Sequence, residues 1–195
     1  RKCTPPFCAD SSPMIPDTKE IIRSIQGAWL LARFKPEGMA WFNITADGFW
    51  RSFFAAVLLA PFFAVPSAIF YAEATVSLGR YVAADIAHYV LAWIVFPVAM
   101  IYVARALNLT DRYVGFIIAY NWSAVIREVV FLPVAYAGAS WAIMFLWLSA
   151  GVYFVLIAIF IVRTALGTTL AVGIGITVLD FTLAIALTLT ASKLV

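Results

Sequence analysis

One histidine, His88, and two cysteines, Cys3 and Cys8, are the only imidazole and thiol groups in these 195 residues. Structural zinc sites take four Cys and His ligands, and most nucleophilic triads need a histidine beside the nucleophile. Cys3 and Cys8 complete no such set. The sequence has no Walker A run, zinc-binding His pair, nucleophile elbow or haem-binding pair. Nothing in it signals enzyme chemistry or implies a cofactor or metal.

Charge is scarce as well. Only 12% of residues are charged and 65% are hydrophobic, with a mean hydropathy of +0.99. Soluble domains carry about 25% charged residues, so one soluble core is excluded. The net charge of +3 is therefore not read as nucleic-acid affinity. Its meaning lies in which side of a bilayer each Lys and Arg occupies.

What the sequence does have is long apolar runs. A membrane-crossing helix needs about 20 residues. Five segments meet this, at about 49–72, 82–107, 113–138, 140–162 and 167–190. Their breaks carry turn or charge signals, and backbone groups in lipid must pair within the segment, so each is expected as a helix. Before them, Asp17 and Glu20 have the spacing of a helix N-cap. Ile21, Ile22, Ile25, Ala28, Trp29 and Ala32 then recur at helical spacing until Lys35-Pro36 stops the run. Lys19, Arg23, Gln26 and Arg33 lie mostly elsewhere on the wheel. This predicts an amphipathic helix over 17–35. It either lies in the membrane interface or packs on the bundle. Asp47 is expected to cap the helix after it.

The expected fold is an all-α integral membrane protein, a bundle of five transmembrane helices preceded by a cytoplasmic amphipathic interfacial helix. Residues 1–16 read as an unstructured leader with Met14 as a candidate start, 17–35 as the amphipathic helix, 36–48 as a linker and 49–195 as the transmembrane domain. Ten Lys and Arg fall on the side of the N-terminus and two, Arg80 and Lys193, on the other. The positive-inside rule then places the N-terminus in the cytoplasm and the C-terminus outside. No glycosylation is expected at Asn43, Asn108 or Asn121, although each begins a sequon.

Charges inside an apolar span are costly and face protein or water. Arg127, Glu128 and Asp180 are such charges. Neighbouring helix positions do not face each other, so Arg127 and Glu128 need separate partners. Arg127 lies 14 residues into its span and Asp180 13 into its own, each about 20 Å deep. An Arg127–Asp180 contact is expected near mid-membrane, with His88, Asn121 or a tyrosine near Glu128. The cluster serves either a proton or substrate pathway or the register of the bundle. Gly167, Ala171 and Gly175 form one small-residue stripe, and Gly173, Thr177, Asp180, Ala184 and Thr188 a second. Such stripes allow close helix packing, in the bundle or between copies.

Three short pieces resemble the Yip1 superfamily: Asp47-Gly-Phe-Trp-Arg-Ser-Phe53, Ala119-Tyr-Asn-Trp-Ser123 with Phe131-Leu-Pro133, and Arg163-Thr-Ala-Leu-Gly167 leading to Asp180. The likeness is to its compact bacterial members and covers most of 17–195. The eukaryotic entry motif runs Asp-Leu-x-Gly-Pro, whereas here Gly48 follows Asp47 directly and no Pro follows. The resemblance implies a non-enzymatic protein of the bacterial inner membrane, with a periplasmic C-terminus, that organises membrane or scaffolds other membrane proteins. It supplies no active-site residues. The residues themselves keep two other functions open. One is a small transporter or channel using Arg127, Glu128 and Asp180. The other is an accessory subunit of a larger membrane complex. Partners are the lipid bilayer and either further copies or other membrane proteins, with no nucleic acid.

Overall fold

The computed structural model describes residues 15–71, 76–135 and 141–193. The leader with Cys3, Cys8 and Met14 lies outside the described residues, as do positions 72–75 at the end of the expected first span and 136–140 where the expected third and fourth spans meet.

Helix α1 covers Thr18–Ala32. The Asp17 carboxylate accepts from the Glu20 backbone N–H at 2.6 Å, which satisfies one of the free donors of the first turn. The helix ends before the expected residue 35. Phe34 takes a left-handed φ of 57°. Phe34 N–H then reaches the Leu31 carbonyl at 2.9 Å and Lys35 N–H the Leu30 carbonyl at 3.0 Å. This pair of reversed bonds closes the end. A non-glycine residue there costs about 1–2 kcal/mol. The Phe34 ring offsets this by packing 5.4 Å from Phe160 and 6.1 Å from Tyr153.

A short 3-10 helix, Pro36–Trp41, folds back on α1. Two glycines make the close approach. A Cβ on Gly27 would stand 2.8 Å from the Gly38 carbonyl oxygen, and one on Gly38 would stand 2.5 Å from that of Gly27. Helix α2 follows over Ala46–Ser52. Its cap is Thr45 and not Asp47, which sits in the first turn. Thr45 is extended, so its hydroxyl meets the Gly48 N–H at 3.0 Å.

The remaining helices are α3 (Phe54–Tyr71), α4 (Leu78–Ala106), α5 (Thr110–Ala135), α6 (Trp141–Leu166) and α7 (Leu170–Ala191). Asn108 at φ 55° ends α4 through the same pair of reversed bonds as in α1, and Gly167 at φ 62° ends α6, where Thr168 N–H reaches the Arg163 carbonyl at 3.3 Å. Helix α5 is the centre. It packs against α1, α2, α3, α4 and α6, while α7 lies against α4 and α6. Phe116, Ile117, Ile118 and Ala119 are consecutive and all buried, so α5 is covered on every side.

Among the described residues, four stretches are long and apolar enough to cross a membrane: 46–68, 78–106, 143–166 and 170–191. Their outward faces carry large apolar side chains such as Phe145 (70% exposed) and Leu148 (69%). Water-facing surfaces of soluble proteins rarely gather such patches. The fold is that of an all-helical integral membrane protein.

Candidate intramembrane site

Helix α5 sets out its polar residues on different faces. Residues three, four and seven apart share a face. Phe116, Tyr120, Ser123 and Arg127 form one such row, and all four line a cavity of about 410 Å³. Asp180 on α7 and His88 on α4 line the same cavity. Ala28 and Ala32 of α1 contribute to its wall. Tyr153 of α6 holds α1 there by donating its hydroxyl to the Ala32 carbonyl.

The Tyr120 hydroxyl donates to Asp180 Oδ1 at 2.8 Å, and Arg127 lines the same cavity. Asp180 also feels the Arg127 charge. Tyr120, Arg127 and Asp180 thus share one cavity, with the phenol hydrogen-bonded to the carboxylate. The ion pair within 4 Å recorded among the described residues is elsewhere, between Arg51 and Glu20 at 2.9 Å.

Glu128 stands about 100° around the helix from Arg127 and does not line this cavity. On α4, the Tyr89 hydroxyl donates to the Ala56 carbonyl at 2.6 Å. His88, one residue earlier, turns toward the cavity, with its ring 6.1 Å from Phe63. Asn121 is fully buried. It donates to Ser52 Oγ at 2.9 Å, and Ser52 donates onward to the Phe49 carbonyl at 2.7 Å. The Asn121 Oδ1 and Ser123 Oγ atoms are buried and have no hydrogen-bond partner among the described residues.

Of the small residues on α7, Gly173 makes a close approach. A Cβ there would lie 2.9 Å from Arg163 Cγ on α6. Gly175 has open space around it, and Ala171 is exposed. Gly167 lies in the α6–α7 turn. There the Arg112 guanidinium, 2.9 Å from the Leu166 carbonyl, occupies the place of a Cβ.

Three polar groups escaped sequence reading. Tyr120 was legible as the residue seven before Arg127, but a tyrosine in a span has many uses. Asp85 accepts from Ser67 Oγ at 2.6 Å, and Tyr81 donates to the Ser67 carbonyl at 3.0 Å. Asp85 sits three residues into the expected second span, so its position near an end hid it. Glu20 joins Arg51 and Asn43, which donate to it at 2.9 and 3.2 Å. No local pattern links residues so far apart.

Comparison with protein-family models, with curated proteins and with solved structures gives no match.

Proposed function

We propose that this is a small non-enzymatic membrane carrier or channel subunit whose working part is the cavity between α4, α5, α6 and α7. The observation that carries this reading is the convergence of Tyr120, Arg127 and Asp180 on one cavity wall. A bundle held by packing alone gains nothing from charges at this depth. Intramembrane ionisable groups that face a cavity are the usual mark of a solute or proton path. We take α5 as a fifth crossing. It is 26 residues long, and the two charges in its interior, Arg127 and Glu128, are half-buried against the helices around it. Five crossings put the N-terminus in the cytoplasm and the C-terminus across the membrane, in line with the distribution of Lys and Arg. A bacterial inner membrane suits that arrangement.

A second reading has one observation of its own. On α1, Ile22 and Trp29 are each 51% exposed, beside exposed Lys19 and Arg23. An edge of apolar and basic residues suits the cytoplasmic lipid interface. It supports a Yip1-like membrane-organising role for the N-terminal segment.

Flux separates the two. The purified protein is placed in proton-loaded liposomes and compared with Asp180→Asn. The carrier reading expects proton flux that the variant loses. Equal leakage from empty, wild-type and variant vesicles overturns it and leaves the membrane-organising role.

A further inference from the structure

The cavity wall has an unequal balance of donors and acceptors. Arg127 brings a guanidinium with five N–H donors in a planar fork. One phenol oxygen, Tyr120's, cannot accept from all five, and its hydroxyl donates to Asp180. One turn away on the same face of α5, the Ser123 hydroxyl is buried, lines the cavity and has no partner among the described residues. Donors left unmade in a low-dielectric site are costly. The other hydroxyls at the wall are engaged. Thr177 donates to the Gly173 carbonyl at 2.9 Å and Thr188 to the Ala184 carbonyl at 3.0 Å. The cavity thus offers donors and calls for acceptors.

Elsewhere the lining is mainly apolar, with Ala92, Phe96, Ile157, Leu183 and Leu187, and His88 of α4 is the other titratable side chain there besides Tyr153. An occupant needs an apolar body and one polar end. A cationic end would leave the Arg127 fork unmet and add a like charge beside it. A carboxylate matches it, because two coplanar oxygens fit the guanidinium fork and can also accept from Ser123. The volume of about 410 Å³ lies in the range of sites for small organic ligands.

Charge limits how such a ligand enters. Arg127 and Asp180 together are neutral. A carboxylate added to them leaves one uncompensated negative charge in the membrane interior, which is expensive. One proton on Asp180 removes it. The protonated carboxyl still accepts from Tyr120 through its other oxygen.

We propose that the cavity binds a monocarboxylate with an apolar body, held by Arg127 and Ser123, together with one proton taken up by Asp180. This rests on the carrier reading above and names its substrate class. The probe is octanoate, below its micellar concentration, titrated calorimetrically into the purified full-length protein. Octylammonium and octanol serve as cationic and neutral controls. Titration in two buffers of different ionisation enthalpy counts the protons taken up per ligand. Octanoate should bind at least tenfold tighter than either control and bring about one proton. Arg127→Gln should weaken octanoate at least tenfold. Asp180→Asn should keep binding and lose the proton. Ala184→Trp, which fills the cavity and keeps its charges, should abolish binding even if the Arg127 variant fails to fold. Tighter binding of octylammonium, blocked by Ala184→Trp, overturns the ligand class and leaves the cavity as a carrier site. Binding of all three probes untouched by Ala184→Trp, or none at all, overturns the proposal and removes the support for a working cavity.

Discussion

The Tyr120 hydroxyl donates to the Asp180 carboxylate at 2.8 Å across the α5–α7 gap. Helices α5 and α7 pack chiefly on other neighbours, α4 and α6 among them. This bond is therefore a polar link between two helices that sit apart. It also holds the Asp180 carboxylate at the cavity.

Removing the donor tests that link. Tyr120→Phe keeps the ring, which packs 4.6 Å from Phe96, and deletes the hydroxyl. Asp180 loses its partner, at about 1–3 kcal/mol. Thermal unfolding in detergent should show a clear drop in Tm. Asp180→Asn keeps an acceptor for Tyr120 and should cost less. Equal losses would mean that the hydrogen bond is not what matters at this position.

The Gly27–Gly38 crossing makes a second prediction. Gly27→Ala puts a methyl 2.8 Å from a backbone oxygen and 2.9 Å from Trp41 Cβ. Overpacking of this kind costs about 1–3 kcal/mol, read as a lower Tm and faster proteolysis after Lys35. Gly175→Ala is the control. Nothing lies within 4 Å there, so alanine's better helix propensity should leave stability equal or higher.

The α6–α7 turn is expected to be equally intolerant. Gly167 holds φ 62°, and a Cβ there would overlap Arg112 Nη1. Gly167→Ala should cost about 1–2 kcal/mol for the backbone and more for displacing Arg112 from the Leu166 carbonyl. Arg112→Gln in the same assay isolates the second part.

Tyr153→Phe tests how α1 is held. It leaves the Ala32 carbonyl without its cross-helix donor, a change of about 0.5–1.5 kcal/mol. Hydrogen exchange at 18–32 should rise while α4 and α7 stay protected. Uniform protection would mean that α1 is held by packing alone.

Labelling tests the number of crossings. With Cys3 and Cys8 replaced by Ser, a single cysteine at Lys35 should react only from the cytoplasmic side, and one at Lys193 only from the opposite side. Reaction of both from one side would require an even number of crossings and remove α5 from the set.

Much of the architecture was legible because lipid imposes a simple rule. A segment that cannot hydrogen-bond to solvent must be a helix, and its length is set by the bilayer. The expected spans over 82–107 and 167–190 fall within a few residues of α4 and α7. The ends were less legible. Phe34 and Asn108 close helices in left-handed conformations that glycine usually fills. Thr45 took the cap expected of Asp47, because the cap depends on backbone angles and not on acidity.

By itself, the sequence determined that this chain is helical, that it belongs in a membrane, and that Arg127, Glu128 and Asp180 need shelter there. These follow from composition and 3.6-residue periodicity, which are local. Only the tertiary structure decided how the charges are sheltered. It bonded Tyr120 to Asp180, set Arg127 on the same cavity and left Glu128 off it, and closed α1 over the cavity. Those choices depend on how each helix is rotated against its neighbours. That rotation is set by packing between residues as far apart as Ala32 and Tyr153.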